Sequence, residues 1–224
     1  MYIPNAFACP NADTATWLVK HYPLAQIVRL DPDNQWACDP VPLLASDGLQ
    51  AGACLLGHVA RANALWQQEG AVLCIFCGPQ AYISPNAYPG KQQHHRVVPT
   101  YNYATVQVKG RLRAIDDDAG KRAIITALTD HAEQSQPAPW AVDDAPDDFV
   151  QANLRAIVGI EIEIESFQAK FKLSQNRNPT DYAGVCDYLS QQATDQTSNQ
   201  TSDNSADSNA AAMLKLMQTR SSNP

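Results

Sequence analysis

The chain has 224 residues, 45% of them hydrophobic, with 16 basic against 23 acidic side chains, a formal net charge of -7 and a pI ≈ 5.1. That is enough chain to bury a sizeable core, and the acidic balance argues against broad adhesion to nucleic acid or an anionic membrane, which needs a Lys/Arg excess. No apolar run approaches the roughly 20 residues of a membrane-spanning helix, and the N-terminus lacks the basic region and apolar stretch of a signal peptide, so a cytoplasmic location is expected.

Residues 13–21 read as a capped helix that stops at Pro23. Two strand-like runs, 24–30 and 36–44, are split by Asp-Pro-Asp-Asn at 31–34, a hairpin-type turn. A third short strand at 52–56 runs into Gly-His-Val-Ala-Arg-Ala-Asn at 57–63, with a helical turn expected through Trp66. Residues 72–78 form the next strand, and a long proline-rich loop is expected after it. Its CxxC, Cys74 and Cys77, lies within that strand, where side chains three apart face opposite ways. A shared metal or disulfide is therefore not expected, and all six cysteines read as reduced thiols.

From 101 to 115 the alternation is clean: Val106, Val108, Leu112 and Ala114 on one face, Thr105, Gln107, Lys109, Arg111 and Arg113 on the other. Asp116, Asp117 and Asp118 supply an acidic helix start, followed by an Ile124, Ile125, Leu128 stripe. A second helix is expected after Pro146. In the strand at 157–173, Ile160, Ile162 and Ile164 alternate with Glu161, Glu163 and Glu165; then the apolar phase slips by one, to Phe167, Phe171 and Leu173. Such a slip predicts a bulge or corner near 165–166. The acidic stripe has the same period as Lys109, Arg111 and Arg113, and the two are expected to pair across neighbouring strands. Asn178, Pro179 and Asp181 mark a strong helix start. From 190 to 209 the chain is Gln-, Thr-, Ser-, Asn- and Asp-rich and expected to be disordered, with a short helix possible over 210–217. The expected organisation is one domain over 1–189 and a low-complexity tail over 190–224.

Three polar segments carry the functional interest. The first is His58, Arg61 and Asn63 at an expected strand-to-helix junction, where backbone N–H groups and an Arg could cradle a phosphate; the simpler alternative is an Arg on a solvated face. The second is Lys170, Lys172, Ser174, Gln175, Asn176 and Arg177, with a basic edge strand as the alternative. The third lies in a stretch from 70 to 115 that holds no Asp or Glu: Tyr82, Ser84, Tyr88, Thr100, Tyr101, Asn102 and Tyr103 offer flat faces and hydrogen bonds without ionised acids. This combination suits a flat aromatic ligand bearing an anionic group; the alternative is a self-packed loop stiffened by prolines. No catalytic nucleophile, metal-ligand spacing, GxSxG or phosphate-binding glycine loop stands out, so no catalytic residue is assigned and no metal is expected.

Gly-Pro-x-Ala-Tyr-Ile-Ser-Pro at 78–85, Val-Pro-Thr-Tyr-Asn-Tyr at 98–103, Gly-His-x-Ala-Arg-x-Asn at 57–63 and Lys-Leu-Ser-Gln-Asn-Arg at 172–177 resemble the PaiB-like family, described as FMN-binding negative transcriptional regulators. The resemblance runs in unbroken order from 1 to about 189. It implies an α+β fold, mainly β with flanking helices: a flavin-type split β-barrel akin to pyridoxamine-phosphate oxidase, usually a homodimer, with FMN near the subunit interface. Carried over by motif, His58, Arg61 and Asn63 would hold the phosphate or ribityl chain, Lys172, Ser174 and Gln175 would approach it, and Thr100, Tyr101 and Asn102 would border the ring or the interface. Tyr82 and Ser84 belong to the aromatic loop beside them. The chain departs from the family pattern at Ala87 and Tyr101, where Trp is usual, at Gln80 and at Gln168–Ala169. In such a site the flavin carries the redox chemistry and the protein supplies binding and electrostatics. Turnover as a flavin-dependent oxidoreductase, and a haem-handling split barrel, are the alternatives; direct DNA binding is disfavoured by the acidic charge and the lack of a helix-turn-helix pattern.

Overall fold

The structure, a computed structural model, describes residues 1–195 and 204–221. Helix α1 (Ala12–His21) begins where the Asn11 side chain accepts the Thr14 backbone N–H at 2.9 Å, a cap worth about 1 kcal/mol. Strands β1 (Leu24–Leu30) and β2 (Trp36–Pro42) form an antiparallel hairpin in which Leu30 faces Trp36. The turn puts Asn34 at φ 60°, a left-handed conformation that Asn tolerates, and the Asp31 carboxylate accepts the N–H groups of Asp33 and Gln35.

Then come β3 (Leu44–Ala45), β4 (Cys54–Ala60), β5 (Gly70–Ile83), a one-turn helix α2 (Lys91–His94), β6 (Thr100–Ile115), α3 (Asp118–Glu133), α4 (Asp147–Ala156), β7 (Ile157–Lys172), α5 (Pro179–Asp195) and α6 (Asn204–Ser221). The strands make a seven-stranded sheet in the order β2-β1-β5-β6-β7-β4-β3. β1 pairs antiparallel with β5, and β4 with β7, placing His58 opposite Gly159. This is the α+β, mainly β class expected.

The chain divides into two compact units: a first unit of Met1–Cys9, Gly78–Thr105 and Ala169–Pro224, and a second of Pro10–Cys77 and Val106–Gln168. The second is built on alternation: Val106, Val108 and Leu112 of β6 and Val158, Ile160 and Ile162 of β7 are buried together with Leu55 and Phe76. Each fully buried aliphatic side chain is worth about 1.5–3 kcal/mol. Glycine is needed at Gly110, where an added Cβ would lie 2.4 Å from the Glu163 carbonyl oxygen. The first unit has its own core, including Tyr88, Phe171, Val185, Leu189, Met213 and Met217.

Burial along β7 changes phase where the sequence predicts it: Ile160, Ile162 and Ile164 are buried, Glu165 and Ser166 are both exposed, and Ala169 and Phe171 are buried. Cys74 is buried and Cys77 exposed, as strand geometry requires, and burial pushes the Cys74 thiol up to about 12. Of the expected charge ladder one rung forms: Arg113 Nε donates to Glu161 at 2.7 Å. Among the described residues Lys109 and Arg111 make no ion pair. Glu163 and Glu165 stand exposed, where holding two long side chains together gains little.

Three segments depart from the sequence reading. The strand at 70 does not stop at 78: β5 runs on through Pro79 to Ile83, so the proline-rich loop is shorter than expected. Residues 57–60, expected to follow the strand, lie within β4; the helical turn expected through Trp66 forms as a four-residue 3-10 turn, Ala64–Gln67. The stretch from 190, expected to be disordered, continues α5 to Asp195, and α6 spans Asn204–Ser221; residues 196–203 lie outside the described residues. The helix has a physical basis in its few apolar side chains. Ala210, Met213, Leu216 and Met217 share one face by i, i+3, i+4 spacing and are buried.

Candidate functional site

In the first unit, the end of β7 presents Lys170 and Lys172 on the face opposite buried Ala169, Phe171 and Leu173. Lys172 Nζ donates to the carbonyl oxygen of Tyr101 at 2.6 Å and to the hydroxyl of Thr100, leaving one of its three protons free. It also sits 5.9 Å from the Phe7 ring centroid. Lys170 Nζ stands 5.3 Å from the Tyr103 ring and 5.9 Å from that of Tyr2. The Arg177 guanidinium lies 4.4 Å over Tyr88. Among the described residues no carboxylate pairs with any of these cations. Burial, and then repulsion from Lys170 and Arg177, lower the pKa of Lys172.

Beside this cluster the Tyr82 and Tyr101 rings meet edge to face, centroids 5.6 Å apart and planes at 67°. They remain 46% and 56% exposed, which leaves aromatic surface for a ligand to stack on. The Ser84 hydroxyl caps the 3-10 turn Pro85–Ala87 by accepting the Asn86 N–H at 3.2 Å.

Asn102, Ser174 and Gln175 do different work. The Asn102 amide nitrogen lies 3.0 Å from the Ser174 hydroxyl and 3.7 Å from Met217 Sδ, and both polar residues are buried. Ser174 adopts φ 62°, and its carbonyl accepts the Arg177 N–H at 2.9 Å. Gln175 folds back, accepting the Leu173 N–H at 2.6 Å and donating to the Phe171 carbonyl. These residues build the turn that carries Arg177 to the Asn178 cap, where Asn178 accepts the Asp181 N–H at 2.9 Å.

The first predicted segment belongs to the second unit, and its three side chains take separate partners. Arg61 grips Asp116 with both terminal nitrogens, donates through Nε to the Arg155 carbonyl at 2.8 Å and through Nη2 to the Ile157 carbonyl at 3.1 Å. That bidentate hydrogen bonding holds the Asp116 carboxyl at about 2. Asn63 accepts the Leu65 N–H at 2.7 Å and donates to Asp39 at 3.0 Å. His58, on the outward face of β4, lines a cavity with residues of α3. Its ring is solvent-exposed, yet the surrounding protein desolvates the imidazolium and lowers its pKa; concave walls remove water without covering the ring.

Of the expected site residues, Tyr82, Thr100, Tyr101 and Lys172 lie side by side, whereas His58, Arg61 and Asn63, grouped by the junction and the motif, take separate partners. Lys170, Tyr103 and Arg177 stood in the polar segments of interest, but the motif carried no ligand contact over to them. Among the described residues no group of His, Cys, Asp and Glu could hold a metal, and no helix is long and apolar enough to cross a membrane.

The fold is shared with solved structures of low sequence identity. They include the FAD and haem binding protein from Mycobacterium smegmatis (TM-score 0.53, 15% identity, 73% of this chain and 72% of that one) and a conserved hypothetical protein from Mycobacterium tuberculosis (TM-score 0.54, 9% identity, 80% and 94%). The fold class is α+β, a seven-stranded sheet with flanking helices. Residues 1–166 match the family model described as "Putative FMN-binding domain". The chain is 31% identical over 196 residues to the "Protease synthase and sporulation protein PAI 2" of Bacillus subtilis, covering 86% of this chain and 90% of that one. An uncharacterized protein of Emericella nidulans is 32% identical, covering 67% and 71%. The chain belongs to this FMN-binding-domain family, the PaiB type.

Proposed function

We propose that this chain binds FMN, with the phosphate received by the cations at the end of β7 and the flavin ring stacked against Tyr82 and Tyr101. The observation that carries the reading is the cluster of Lys170, Lys172 and Arg177 with no paired carboxylate among the described residues, set beside two half-exposed tyrosine rings. An anion there relieves mutual repulsion and gains charge-assisted hydrogen bonds. Family membership supplies the identity of the ligand.

Thr100 fixes the Lys172 ammonium, Ser84 shapes the turn after Tyr82, and Asn102, Ser174 and Gln175 hold the backbone that presents them. Arg61 is held by Asp116 and two backbone carbonyls and is not counted among these contacts. His58 and Asn63, drawn in by the motif, take other surroundings and are not part of this contact set. Bound flavin would supply electron transfer, and the residues here would bind and orient it. The working unit is a homodimer in the cytoplasm, acting as a flavin-binding regulator without direct DNA contact, in keeping with the net charge of -7. An absorbance scan of the purified protein tests the reading: flavin bands, native or gained on adding FMN, are expected, and their absence after FMN addition and desalting contradicts it.

A further inference from the structure

The second unit holds a cavity of about 450 Å³ that the flavin reading does not use, within the range of roughly 300–1,000 Å³ typical of small-molecule sites. Its walls are Pro23, Pro42, Leu43, Leu44, Leu128 and Ala132, with Trp140 alongside. The polar groups that reach it are Thr129, His58, His131 and Glu133, and no Lys or Arg side chain lines it.

Both ring nitrogens of His131 are occupied, Nε2 lying 3.1 Å from the Lys20 carbonyl and Nδ1 3.4 Å from the Gln134 amide. The His58 ring has no hydrogen-bond partner among the described residues. Glu133 accepts the Trp140 backbone N–H through Oε2 at 3.1 Å, which leaves Oε1 available and brings Trp140 back toward the end of α3. The Trp140 ring is 47% exposed. Glycine at 57 sets this wall: an added Cβ would lie 2.7 Å from Leu43 and 2.9 Å from the Pro42 carbonyl oxygen, so β4 packs closely behind His58.

The lining thus offers one carboxylate, one aromatic face, one unpartnered imidazole and aliphatic walls, with no positive side chain. That is the reverse of an anion site. We propose that the cavity binds an organic amine with a compact apolar body, its ammonium held by Glu133 and the Trp140 ring and one N–H received by His58. A carboxylate and an indole face each favour the cation, the aliphatic walls take the apolar body, and the same carboxylate repels organic acids and phosphates. The site is independent of the flavin reading.

The test uses the full chain and three probes of one shape: 2-phenylethylammonium, 2-phenylethanol and 3-phenylpropionate, titrated by calorimetry with FMN absent and present. The amine is expected to bind saturably and about tenfold more tightly than the alcohol, with the acid weakest. Glu133→Gln keeps an oxygen for the Trp140 N–H, so the fold should hold; it should cut the amine preference by about fivefold or more and leave the alcohol unchanged. Trp140→Leu should weaken the amine more than the alcohol. No saturable amine binding at millimolar concentration, an acid binding as tightly as the amine, or an unaltered preference in Glu133→Gln would each overturn the proposal. Unchanged FMN absorbance in Glu133→Gln separates this outcome from any failure of the flavin site.

Discussion

Lys172 donates to the carbonyl oxygen of Tyr101 at 2.6 Å, so one ammonium both carries charge and fixes the backbone beneath an exposed aromatic ring. That coupling makes Lys172 the most informative residue to alter. Lys172→Ala should weaken FMN binding by about tenfold or more, since a charge-assisted hydrogen bond is worth about 1.5–3 kcal/mol. Fluorescence quenching of FMN reads this directly.

The protonation state of Lys172 gives a second expectation. Its pKa is depressed in the free protein by burial and by its cationic neighbours, and a bound phosphate would raise it again. Binding therefore takes up a proton in the alkaline range, and affinity should fall as pH rises there. Lys172→Arg, which stays charged, should lose that dependence while retaining binding. A wild-type affinity that is flat with pH in the alkaline range contradicts an anion contact at Lys172.

Asp116 should show its partnership with Arg61 on the acid side. Its folded pKa of about 2 lies below the ordinary 3.8. The pair thus stabilises the fold fully above the ordinary value, and the contribution is lost as pH falls toward the folded one. The melting temperature of the wild type should drop more steeply between those two values than that of Asp116→Asn. In parallel FMN titrations, an affinity that falls in Arg61→Ala but not in Lys172→Ala would move the phosphate to the first motif.

Packing at the end of the chain is testable without any ligand. Met217 is fully buried, its sulfur is 3.7 Å from the Asn102 amide, and its carbonyl accepts the Tyr182 hydroxyl at 3.0 Å. Met217→Ala should cost about 2–5 kcal/mol if the first unit unfolds with α6 in place. Urea denaturation measures it; an unchanged midpoint would show that α6 contributes nothing to the fold.

Much of this was legible because alternation and capping are local signals. The Ile160–Ile164 stripe, the phase slip beyond it and the Asn178 cap each depend on a few adjacent residues. Tyr82, Tyr101 and Lys172 emerged as neighbours because their motifs carry the family resemblance. What stayed hidden depends on distant partners: nothing around Arg61 announces Asp116, and nothing near His58 announces Glu133 and Trp140. The polar stretch after Ser190 outweighed Ala210, Met213, Leu216 and Met217, whose burial depends on a partner surface that composition does not reveal.

The most direct test of the central claim compares FMN with riboflavin by equilibrium titration against the purified full chain. Saturable micromolar FMN binding, with riboflavin about tenfold weaker or more because it lacks the phosphate that the Lys170, Lys172 and Arg177 cluster would hold, is the expected result. No saturable FMN binding, or equal affinity for the two flavins, contradicts it.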